Sequence, residues 1–87
     1  MATYVDTVTI NPDLPIPPWK QLAAILRERI TSGELTGRLP GEKHLMQEYG
    51  LAMGTVRKAV KQLRDDGLIQ TTPGMGSYVV PADSAGQ

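Results

Sequence analysis

Thr55-Val56-Arg57-Lys58-Ala59-Val60-Lys61-Gln62-Leu63-Arg64 carries two patterns at once. With about 100° of turn per residue and Val56 set at zero, Val56, Ala59, Val60 and Leu63 fall within about 60° of zero. Gly54, Arg57, Lys58 and Lys61 fall between about 100° and 200°, on the opposite side. Apolar residues at i, i+3, i+4 and i+7 define a helix with one buried face. The other face is a cationic stripe. A helix of this kind fits the major groove of B-DNA, where Arg and Lys reach guanine O6 and N7 or the flanking phosphates. Its bland alternative is a basic helix that does no more than solvate a surface. The neighbouring sequence decides between them.

Towards the N-terminus, Gly50-Leu51 supplies a tight turn, preceded by a short helix from about Glu42 to Tyr49 with Leu45, Met46 and Tyr49 on its inner face. Pro40-Gly41 introduces that helix. Glu34 to Pro40 reads as a connection with a brief extended stretch at Arg38-Leu39. Before it, Trp19, Leu22, Leu26 and Ile30 form the stripe of a first amphipathic helix that starts at Pro18, where a missing N–H costs nothing, and is closed by Gly33. Towards the C-terminus, Asp65-Asp66-Gly67 ends the basic helix. Leu68 to Thr72 and Ser77 to Val80 are β-prone and separated by Pro73-Gly74-Met75-Gly76, which is hairpin chemistry. The expected fold is mainly α with a small β-hairpin: a winged helix-turn-helix of three helices and a two-stranded wing. Three segments follow: an extended arm over residues 1–16, the domain over 17–80, and a disordered tail over 81–87.

The chain has 87 residues, enough for one small core and too few to build a deep catalytic cleft around it. It lacks cysteine, and His44 is its single histidine, so neither a zinc site nor thiol chemistry is expected. Gly74-Met75-Gly76 is too short to cradle a cofactor phosphate. No nucleophile, base and orienting group come together, so the sequence predicts neither an enzyme nor a bound cofactor. No apolar run is long enough for a membrane span, and a basic leader is missing, which points to the cytoplasm. The formal net charge is zero, yet all nine bases lie between Lys20 and Arg64, against four acids, a local excess of five positive charges. Position relative to phosphates governs affinity for DNA more than the total does.

In this order and spacing the motifs resemble the N-terminal DNA-binding domain of GntR-type bacterial transcription regulators. The resemblance runs from about Pro17 to Val80, through Gln21-Leu22, Ser32-Gly33-Glu34-Leu35, Leu39-Pro40-Gly41-Glu42, Tyr49-Gly50, Thr55-Val56-Arg57-Lys58-Ala59, Gly67-Leu68-Ile69 and Gly74-Met75-Gly76-Ser77-Tyr78-Val79. It implies a sequence-specific regulator of the repressor kind, with a recognition helix over about 53–66 in the major groove and a wing over 72–77 at the minor groove. Double-stranded DNA is the implied partner, bound by a homodimer on an inverted-repeat operator. Lys43 then takes the place of a basic residue that touches phosphate or base. Thr55 and Arg57 match the threonine and arginine that open the recognition helix, and Gly74 matches the wing-tip glycine. With Gly54, Lys58, Lys61, Met75 and Gly76, these are the candidate DNA-binding residues.

The sequence departs from the family pattern in three places. Gly41 stands where a capping serine is usual, at a cost of a few tenths of a kcal/mol. Ala52-Met53-Gly54 replaces a short hydroxyl residue and a base, which removes two polar contacts, and leaves Met53 either to pack inward or to meet a thymine methyl. The connection from Gly33 to Leu39 is shorter by one or two residues. Family members also carry an effector-binding, dimerising domain; none is expected within these 87 residues, so Thr3 to Ile10, being β-prone, is expected to pair strands between two copies. The alternative reading is a winged-helix protein-interaction module with weak DNA binding, in keeping with the zero net charge.

Overall fold

A computed structural model describes residues 9–81, and over them three helices precede a hairpin. Helix α1 (Pro18–Thr31) opens on Pro18, as its fixed φ and absent donor favour. Helix α2 (Glu42–Tyr49) ends on Gly50, whose φ of 67° lies in the left-handed region that a side chain disfavours. That residue reverses the chain between α2 and α3 (Met53–Asp65). Helix α3 stops where the Leu68 N–H donates to the Leu63 carbonyl at 3.0 Å and the Gly67 N–H to that of Arg64 at 3.0 Å, a Schellman closure that brings the apolar side chains of Leu63 and Leu68 to the same end.

Strands β1 (Ile69–Thr72) and β2 (Gly76–Val79) pair antiparallel with Ile69 opposite Val79 and Thr72 opposite Gly76. Pro73 and Gly74 sit at the centre of their turn, which the Met75 N–H closes on the Thr72 carbonyl at 3.0 Å. The extended stretch at Arg38-Leu39 does more than connect. Arg38 bridges Tyr78, the Leu39 N–H donates to the Ser77 carbonyl at 2.8 Å, and the Val79 N–H donates to the Gly37 carbonyl at 2.7 Å. The free edge of β2 is thereby covered, and the wing is fixed to the segment that leads into α2.

Leu22 and Leu26 of α1, Leu45 of α2, and Val56, Ala59 and Leu63 of α3 are fully buried, with Leu35, Leu39, Val60 and Ile69 almost so. The apolar stripe of α3 is thus the centre of the core, packed by α1 on one side and α2 on the other. Trp19 and Tyr49 are half-buried at its margins. The Arg29 guanidinium donates to the Tyr49 hydroxyl at 2.8 Å and lies near Glu34 and Glu48, tying the end of α1 to the end of α2. Burial raises the Tyr49 phenol above its usual range against the opposing pull of Arg29, so the hydroxyl stays protonated in this contact.

Residues 9–17 fold back through a turn, the Leu14 N–H reaching the Asn11 carbonyl, instead of running extended. The buried Gln21 side chain explains why: its oxygen accepts from the Asn11 N–H at 2.8 Å, and its amide donates to the Asn11 and Ile16 carbonyls at 3.0 and 2.8 Å. A side-chain amide with no water to bond must find such partners. Most of the segment expected to pair between copies, and the tail from 82 onward, lie outside the described residues. No helix among the described residues is long and apolar enough to cross a membrane.

Candidate nucleic-acid interface

With the core stripe of α3 turned inward, Gly54, Arg57, Lys58 and Lys61 are left on the exposed side, and Thr55 is half-buried beside them. Their cationic heads are not equivalent. The Arg57 side chain is 65% exposed, and its Nε donates to Glu42 Oε1 at 3.2 Å. Glu42 sits in the first turn of α2, where the sequence suggests only a charge complementing the helix end. Its pairing with Arg57 spans two helices, and no periodicity within either one signals it. Lys61 reaches Asp65 at 2.9 Å, one turn along its own helix. The Lys58 Nζ lies 4.8 Å from the centre of the Trp19 ring, so α1 draws it to the edge of the stripe.

At its N-terminal end the same face is poor in side-chain donors but not in backbone ones. Ala52 and Gly41, the residues that precede α3 and α2, make no capping bond, and α3 has no acid in its first turn. Both helices therefore present uncapped N–H groups at the positive end of their dipoles. A Cβ placed on Gly54 would meet nothing within 4 Å, so the fold itself does not demand glycine there. Met53 is half-buried, between the two fates expected of it.

Lys43 is exposed beside Glu42 at the start of α2. Gly74, Met75 and Gly76 form the wing tip, with the Met75 side chain among the most exposed large apolar groups at 55%. The wing is joined to the last turn of α3 by a polar chain: Arg64 donates to the Thr71 hydroxyl at 3.1 Å, which lies 2.9 Å from that of Ser77. Arg64 thereby braces the hairpin against the end of α3. His44 is exposed, with Nε2 3.5 Å from Glu48, and Glu42 and Glu48 point to different neighbours. Among the described residues no cluster of His, Cys, Asp or Glu could hold a metal ion.

A three-helix core in which a tight turn leads from α2 into an amphipathic, outwardly cationic α3, followed by a hairpin wing, defines a winged helix-turn-helix domain of DNA-binding regulators. Residues 18–79 match the family described as bacterial regulatory proteins, gntR family, and the chain belongs to it. That family is one of transcription regulators and not of enzymes.

Among its relatives, the mannosyl-D-glycerate transport/metabolism system repressor MngR of Escherichia coli K12 is 38% identical over 65 residues, or 72% of this chain. The chain spans 27–30% of the length of this and the next curated relatives it matches. Among solved structures, YtrA from Sulfolobus acidocaldarius, a GntR-family transcription factor, superposes with a TM-score of 0.75 at 33% identity, covering 87% of this chain and 81% of that one. The DNA-binding domain of AraR in complex with its operator ORE1 does so with a TM-score of 0.72 at 29% identity, over 82% of this chain and 89% of that one.

Proposed function

We propose that this chain binds an operator as a sequence-specific transcription repressor, with α3 in the major groove and the wing tip at the minor groove. The observation that carries this reading is α3 itself, which spends one face on the core and offers Arg57, Lys61 and the open backbone at Gly54 on the other. Lys43 and Lys58 then hold phosphates on either side, Thr55 contacts the strand where α3 enters the groove, and Gly74-Met75-Gly76 brings backbone and an apolar tip to the sugar edges. The operator complex of the AraR domain supports the docking mode, and similarity to the repressor MngR supports repression. A homodimer on a two-fold operator completes the proposal, with residues 3–10 the candidate contact. Selection from random duplexes tests all of this: the expected product is a motif of two inverted half-sites. Recovery of no enriched motif would contradict sequence-specific binding, and a single half-site would contradict the dimer.

A further inference from the structure

We infer that Arg38, which lies outside every motif singled out in the sequence, is a phosphate-binding residue at the junction of α2 and the wing. The inference rests on the DNA-binding reading of the α3 face. Its backbone is held in place on both sides by the Leu39–Ser77 and Val79–Gly37 bonds and by its bridge to Tyr78. Its side chain lies over Gly76: a Cβ on that glycine would stand 3.2 Å from Arg38 Nε and 3.4 Å from a terminal nitrogen. Gly76 has a φ of 114°, so glycine serves the backbone and the packed guanidinium together.

Arg38, Gly41, Glu42, Thr71, Gly76 and Ser77 line one cleft, between the wing and the start of α2. Glu42 is the residue that holds Arg57, so the cleft adjoins the recognition face. Arg57, Lys61, Arg27 and Arg29 each have a carboxylate partner, whereas Arg38 is exposed and has none among the described residues. A guanidinium seated against the backbone at Gly76, exposed and with no acid partner among the described residues, suits a fixed phosphate oxygen. The contact would fall where the strand crosses from the major groove read by α3 to the minor groove met by the wing.

The test compares Arg38→Gln, which keeps a planar head but removes the charge, with Arg38→Lys and with Arg27→Gln, which makes the same charge change on the α1 side. Affinity is measured by fluorescence anisotropy for the selected duplex and a scrambled one across a salt series, with melting by circular dichroism as the check on folding. Arg38→Gln is expected to weaken both duplexes severalfold and to reduce the log–log salt slope by about 1. Arg38→Lys is expected to restore the slope, and Arg27→Gln to leave it unchanged. A loss confined to the selected duplex would make Arg38 a base reader and overturn the assignment. So would an unchanged slope in Arg38→Gln, an unrestored one in Arg38→Lys, or an equal loss in Arg27→Gln. Failure of the unaltered chain to bind either duplex would instead remove the DNA-binding reading itself.

Discussion

Gly54 sets a stability cost against the close approach to DNA proposed for it. Glycine inside a helix is less stable than alanine by about 0.5–1 kcal/mol, and here nothing in the protein occupies the space a methyl would take. Gly54→Ala is therefore expected to raise the melting temperature by a few degrees while lowering affinity for the selected duplex severalfold, because the methyl would stand between α3 and the DNA. Thermal melting and anisotropy on the same samples check it; a variant that is stabilised and binds unchanged would show that the strand does not approach there. The exposure of Arg57 was legible from angular arithmetic alone, since the core stripe of α3 fixes which residues are left outside. Its pairing with Glu42 was not, nor was the packing of Arg38 on Gly76, because each joins elements far apart in the chain and depends on how they dock. Lys58 shows the limit of a helical wheel: it shares the stripe by angle, and Trp19 from α1 then draws its head aside.

At the scale of elements, the helix-turn-helix depends on one reversal. Gly50 takes a φ of 67°, which costs a residue bearing a Cβ about 1 kcal/mol or more. Gly50→Ala is expected to destabilise the domain by about that amount, which for a domain of this size lowers the melting temperature by about 4–8 °C. Denaturation monitored through helix content measures it. The three helices and the hairpin were readable because each carries its own period and its own punctuation, such as Pro18, Gly50 and Pro73-Gly74. The extended stretch at Arg38-Leu39 was readable as a conformation but not as a partner of β2, since strand pairing at this distance leaves no local mark. Of the arm expected to be extended over residues 1–16, the described part from residue 9 folds back instead, because the buried Gln21 amide gathers the Asn11 and Ile16 carbonyls.

For the molecule as a whole, zero net charge and a cationic face on α3 coexist because the bases are concentrated between Lys20 and Arg64, where only four acids oppose them. Two acids pair with cations of the proposed interface: Glu42 with Arg57 and Asp65 with Lys61. Exposed pairs of this kind contribute only about 0–1 kcal/mol and yield to a phosphate. Affinity should consequently fall steeply with salt despite the neutral total, whereas a winged-helix module built for a protein partner would bind duplexes weakly and with little salt dependence. The most direct test is affinity for the selected duplex across a salt series, for the unaltered chain and for Arg57→Ala. The expected result is a steep negative slope and a loss of about 1–3 kcal/mol in the variant, larger on the selected than on the scrambled duplex. Weak binding with a flat salt dependence, untouched by Arg57→Ala, would contradict the assignment of α3 as the DNA-reading helix.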